Sequence, residues 1–218
     1  MSTSTRARTQ LSPGPLLLLG GIAFFAGGAI HPAGNGEGSK VDQLHEMLVD
    51  SMWYPSHALM LVAMVCFAAA ILAFRRRGGL GSGMARVTDV ASVIAVVATA
   101  GMALHLFAAL GADGIAHGEK TLLYHVQTWN ETLTNPLWGL SVAALAVTGG
   151  LTRTLGNPLT LALGLVGGLA FALASATIAF TDRFDALFPL ASLIGIWAVV
   201  VGLMTWKPGV GRVANDQC

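Results

Sequence analysis

Six stretches of the chain, roughly 14–33, 54–74, 87–111, 136–152, 158–180 and 185–206, are apolar almost without interruption, and the segments between them hold nearly all of the charge. A helix rises 1.5 Å per residue, so runs of this length match a hydrocarbon core about 30 Å thick. The pattern predicts an all-α, polytopic membrane protein in which one domain, 1–218, carries six transmembrane helices. The fourth run is the shortest.

Two of the polar segments keep helical periodicity. In 39–52, Val41, Leu44, His45, Leu48 and Met52 share one face, while Asp42, Gln43, Glu46 and Asp50 fall elsewhere; in 121–134, Leu122, His125, Val126, Trp129 and Leu133 repeat the arrangement. Both read as short amphipathic helices on the outer face, each turning one histidine toward the bundle or the interface. Ser39 with Asp42 has the spacing of a capping box. Trp53, Tyr54, Tyr124, Trp129 and Trp138 fit an outer aromatic belt.

The six runs group as three helical hairpins, beginning near 14, 87 and 158. Each returning helix opens on a proline, Pro55, Pro136 or Pro189, a residue tolerated in a first turn because its missing N–H would have no partner there. The first two hairpins also share a histidine near the end of the outgoing helix, His31 and His105, and a second one in the following loop, His45 and His125. The third has neither. This is the pattern expected of a duplication that has diverged.

Composition fits a membrane chain: 54% of residues are hydrophobic and 11% charged, too apolar for a soluble monomer. Charge sets the orientation. Arg6, Arg8, Arg75, Arg76, Arg77, Arg86, Arg153, Lys207 and Arg212 lie at the termini and in the second and fourth connections, against only Lys40, Lys120 and Arg183 elsewhere. The positive-inside rule therefore predicts a multi-pass protein of the cytoplasmic (inner) membrane with both termini cytoplasmic. Arg6 and Arg8 ahead of Leu16–Leu19, with small residues up to Ala29, also suit a cleaved signal peptide, but the apolar run is long for one. Cys66 falls within a span and Cys218 in the tail, so no disulfide is expected. A net charge of +1 argues against nucleic-acid binding. No P-loop, GxSxG or HExxH pattern occurs, and no Asp, Glu, Lys or Arg sits deep in a span, which argues against a buried carboxylate proton relay.

Chemistry enters with histidine. All six, His31, His45, His57, His105, His117 and His125, fall on the outer side, and imidazole is a frequent ligand of transition metals and haem iron. His105 is expected about 9 Å inside its helix end and His57 about 4–5 Å inside its own. Met60 and Met64 share a face with His57, and Gly27, Gly28 and Gly101 lie near the histidines, leaving room for a helix or a flat macrocycle. Two cofactor readings follow. Haem b would use His105 with His57 or His31 as axial ligands; copper or zinc would draw His31, His45, His105 and His125 from the two related hairpins. Either would serve membrane electron transfer or redox chemistry. Among the outer carboxylates, Glu46, Asp50 and Glu131 are near enough in sequence to histidines to support such a site. The cofactor-free alternatives are an accessory or assembly subunit that docks partner membrane proteins through exposed helix faces, and a small-solute permease.

Overall fold

The computed structural model describes residues 12–206. Arg6, Arg8, Lys207, Arg212 and Cys218 lie outside the described residues, and so do the parts of the charge argument and of the signal-peptide reading that use them. Among the described residues the fold is all-helical, without strands. Six longer helices, α1 (Pro13–Ala29), α3 (Trp53–Arg77), α4 (Ser82–His105), α7 (Asn135–Thr152), α8 (Pro158–Thr177) and α10 (Leu193–Thr205), alternate with the short helices α2 (Lys40–Val49), α5 (Ala112–Ala116), α6 (Leu122–Trp129) and α9 (Phe188–Ala191). Four segments, Trp53–Arg77, Ser82–His105, Pro158–Thr177 and Asp185–Thr205, are long and apolar enough to cross a membrane; α1 is apolar but shorter, and α7 is not among the four.

Each long helix packs on the next along the chain and α10 returns to α1, closing a ring of six. Contact between α7 and α8, which belong to different expected hairpins, is more extensive than that between α4 and α7, so pairing does not single the hairpins out. The centre is aromatic. Trp138 from α7 is fully buried, with ring centroids 5.5 Å from those of Phe24 on α1, Phe67 on α3 and Phe171 on α8. Glycine brings backbones together around this hub: a Cβ on Gly139 would stand 2.7 Å from the Gly168 carbonyl, and one on Gly168 2.5 Å from the Gly139 carbonyl. The small-residue series Gly164, Gly168, Ala172 is thereby a packing stripe, buried along its length. Outward faces carry Ile22, Phe25, Val62, Val65, Val93, Val97 and Leu159, each at least 45% exposed, as a lipid-facing surface requires.

Two elements depart from the sequence reading, and each has a local cause. The third apolar run does not continue as helix to 111. It stops at His105, because the Leu106 carbonyl accepts a hydrogen bond from Trp53 Nε1 at 3.2 Å, while Leu110 N–H turns to the Phe107 carbonyl and tightens 108–111 into a 3₁₀ turn. His105 is accordingly the last residue of its helix rather than two turns inside it. The fourth run is not preceded by a separate surface helix: α6 runs into α7 through a π-helical turn, Asn130–Thr134. Pro136 has no N–H for the Thr132 carbonyl and its ring would crowd that turn, and the wider π turn accommodates it.

Candidate functional site

At the end of the ring opposite Arg75–Arg77, the C-termini of α1 and α4 meet the N-terminus of α3 beneath a cap made by α2, α5 and the 3₁₀ turn. Leu48, Trp53, Ala108, Ala112 and Ile115 form the cap's own apolar cluster. His31, His57 and His105 meet under it. His57 and His105 are buried, and their Nε2 atoms lie 2.9 Å apart. The His31 ring centroid is 4.9 Å from that of His57.

The hydrogen bonds define the tautomers. His57 Nδ1 is 2.7 Å from the Trp53 carbonyl; a carbonyl only accepts, so Nδ1 carries the proton and Nε2 presents a lone pair. His105 must then donate from Nε2 to His57 Nε2. Its own Nδ1 is left a bare acceptor, buried without a partner. His31 Nδ1 likewise donates to the Pro32 carbonyl at 2.7 Å, so its Nε2 is also a lone pair when the ring is neutral. Trp53 holds the group together. Its indole stacks on His57 with centroids 3.8 Å apart and planes at 28°, and it lies 5.3 Å from the His105 ring.

The sequence pattern puts Trp53 and Trp138 in the aromatic belt, yet both are core residues; Tyr54 and Trp129 are the exposed ones. The signal that would have found Trp53 is its spacing, four residues ahead of His57 on one helical face. The remaining histidines stand apart. His125 is exposed beside Tyr124, with ring centroids 5.5 Å apart; His117 is exposed and bonds the Asp113 carbonyl; His45 is half-buried on α2. Among the described residues no group of three or more His, Cys, Asp or Glu side chains is placed to hold a metal ion, so the set His31, His45, His105 and His125 is not assembled. The outer carboxylates are engaged elsewhere: Glu46 accepts from Asn35 N–H, Asp50 from Met52 N–H, and Glu131 from Gln127 Nε2.

Of the three glycine positions expected to leave room for a macrocycle, two are filled and Gly28 faces open space. A Cβ on Gly27 would stand 2.9 Å from both Met60 Cγ and the Ser56 carbonyl, so α3 occupies that notch; a Cβ on Gly101 would collide with Asn130 Oδ1. Met64 is buried in the main core and Met60 packs against it. With His57 and His105 in direct contact, no room for a haem remains between them.

Beside this site α6 and the π turn direct their apolar side chains outward and their amides inward, the interface side of the two orientations the sequence left open. Leu122, His125, Trp129 and Leu133 point outward, and Gln127, Asn130 and Asn135 are buried. Gln127 Oε1, Asn135 Oδ1 and both amide atoms of Asn130 have no protein partner. Burial pushes the Glu131 carboxyl up to about 7, against the Gln127 amide and the Lys40 charge, which pull it down, while Asp185 adds to the rise. Lys40 itself bridges Asp182 and Asp185 and ties α2 to the segment before α9. Burial works to lower its pKa, but the two carboxylates outweigh it and the net shift is upward.

No protein-family model matches the chain, and neither a curated protein nor a solved structure matches it. The site itself offers three clustered imidazoles, two of them hydrogen-bonded through Nδ1 to backbone carbonyls, at one end of a helical ring.

Proposed function

We propose that this is a six-span membrane protein, with both termini cytoplasmic, that binds one transition-metal ion, copper or zinc, between His57 and His105 at its outer side, in a membrane redox or metal-handling role. The observation that carries the reading is the 2.9 Å approach of two Nε2 atoms on different helices, one ring anchored through Nδ1–H to a carbonyl. An imidazole that ligates a metal almost always gives its other N–H to such an acceptor, which fixes both tautomer and ring plane. Two nitrogens bound tetrahedrally at 2.0–2.1 Å stand about 3.3 Å apart. The pair is within a few tenths of an ångström of that spacing before any metal arrives. The buried, apolar surroundings favour neutral imidazole as a ligand for copper or zinc. The occupied notches at Gly27 and Gly101 tell against haem b.

The test is metal analysis and titration of the detergent-solubilised full-length protein with zinc and with cuprous copper. One equivalent bound by the wild type, lost in His57→Ala and His105→Ala and kept in His117→Ala, supports the proposal. A Soret band in the purified protein would replace it with the haem reading. Absence of both metal uptake and chromophore would leave the His57–His105 bond as an interhelical tie and favour a cofactor-free accessory subunit.

A further inference from the structure

Positive charge gathers at the end of the molecule remote from the histidines. Arg75, Arg76, Arg77, Arg86 and Arg153 stand there, all exposed, against a single carboxylate among the described residues, Asp89. Between the last turn of α3 and the first turns of α4 lies an open cavity of about 270 Å³, lined by Arg75, Gly78, Gly79, Leu80, Ala85 and Asp89. Gly78 and Gly79 have φ of +67° and +71°, values that favour glycine, and a Cβ on either would meet nothing within 4 Å. That wall of the cavity is bare backbone.

Arg75 is oriented at the cavity without being used up. Its Nε donates to Asp89 Oδ1 at 2.5 Å, which leaves the terminal N–H groups of the guanidinium for another acceptor. Both side chains are more than half exposed, a setting in which an ion pair is worth at most about 1 kcal/mol, so Asp89 competes weakly with a second anion. Arg86 lies three residues before Asp89 on α4 and therefore on the same side of the helix. From Arg86 a stripe continues through Val90, Val93 and Val97 at helical spacing, and these valines are 56%, 65% and 56% exposed. Cationic at the helix start and apolar farther in, the stripe follows the order of a phospholipid's own parts.

We propose that this cavity binds the headgroup of one anionic phospholipid, its phosphate held by Arg75 and Arg86 and an acyl chain laid along Val90, Val93 and Val97. This rests on the membrane-spanning part of the reading above and is independent of the metal. An excess of arginine over carboxylate attracts a headgroup of net negative charge and repels the ammonium of a zwitterionic one. A soluble phosphate would meet the same guanidinium groups but leave the valine stripe unused.

The experiment is native mass spectrometry of the full-length protein, stripped of lipid in a neutral detergent and titrated with phosphatidylglycerol, phosphatidylcholine or inorganic phosphate. The wild type should bind one phosphatidylglycerol in preference to phosphatidylcholine. Arg75→Gln and Arg86→Gln should each weaken it roughly 5-fold, the equivalent of about 1 kcal/mol per arginine at an anionic surface. Arg153→Gln, outside the cavity lining, should leave it unchanged. Asp89→Asn keeps an acceptor for Arg75 and removes the negative charge, so it should tighten binding several-fold, a gain that a misfolded variant cannot produce. Equal binding of phosphatidylcholine, or an equal loss in Arg153→Gln, reduces the effect to diffuse attraction and overturns the proposal. Inorganic phosphate that binds as tightly as the lipid also overturns it, since the site then takes a free anion. Zinc or copper uptake enters none of these outcomes, so the lipid site and the metal reading fail separately.

Discussion

Trp53 shows how much one side chain can organise: its carbonyl fixes the His57 tautomer, its ring covers His57, and its N–H ends α4 at Leu106. Trp53→Phe keeps the ring face but loses the N–H, and is expected to cost about 1 kcal/mol. Hydrogen exchange should rise at 106–111, where the freed carbonyl is exposed to competition, and stay unchanged in α8. Glu131 gives a pH-dependent expectation. Its carboxyl is pushed from an ordinary 4.5 to about 7, so the folded protein holds that proton more tightly than the unfolded chain does. Stability attributable to this group is full below about 4.5 and declines as pH climbs to about 7. Glu131→Gln should flatten that slope and raise the thermal midpoint above pH 7; a midpoint lowered at pH 8 would show that the charged carboxylate is stabilised after all. Residue depth was the part of this picture that sequence read least well. Counting rise per residue placed His105 about 9 Å inside its helix end, whereas it is the last residue of α4 and its burial comes from Trp53 and the cap, contacts that no periodicity in α4 encodes.

At the level of the element, local signals were reliable where the chain alone decides. The Ser39–Asp42 capping box is formed in both directions, with Asp42 N–H donating to Ser39 Oγ at 3.2 Å and Ser39 N–H to Asp42 Oδ2 at 2.8 Å. Ser39→Ala should destabilise α2 by about 1 kcal/mol, visible as faster hydrogen exchange across 40–49 with the long helices unaffected. Apolar periodicity found α6 and its apolar face, but gave no sign that Gln127 and Asn130 on the other face are buried. Gln43 on α2 shows the same limit from the other side: it falls on the polar arc of the sequence pattern yet is buried, its Cβ packed by Gly34 and its amide carbonyl reached by Lys40. The join of α6 to α7 was hidden for another reason. A proline that opens a helix and one that is absorbed by a π turn have the same sequence signature, and only the packing of 130–134 against α4 and α8 distinguishes them.

For the whole molecule, the helical ring and the separation of chemistries at its ends are the features on which function depends. The histidines, the capping helices and most of the acidic residues stand at one end, whereas Arg75, Arg76, Arg77, Arg86 and Arg153 stand at the other, with Arg75 paired to Asp89 at 2.5 Å. That division was legible in the sequence because charge is excluded from the apolar runs and therefore marks their ends. The ring closure was not legible, since it depends on glycine-mediated approaches such as Gly21 to the Gly195 carbonyl that composition cannot pair. A membrane would convert this polarity into sidedness. Arginine is retained on the cytoplasmic side, so the histidine end is expected to face outward. In a Cys218→Ser background, where the remaining Cys66 is buried, single cysteines at the exposed positions Glu37, His117 and Ser82 report on the two ends. Glu37→Cys and His117→Cys should react with an impermeant thiol reagent added to intact cells, and Ser82→Cys only after the cells are broken. Labelling of Ser82→Cys alone in intact cells would invert the molecule and put the histidine site on the cytoplasmic side, where an extracytoplasmic metal supply could not reach it directly.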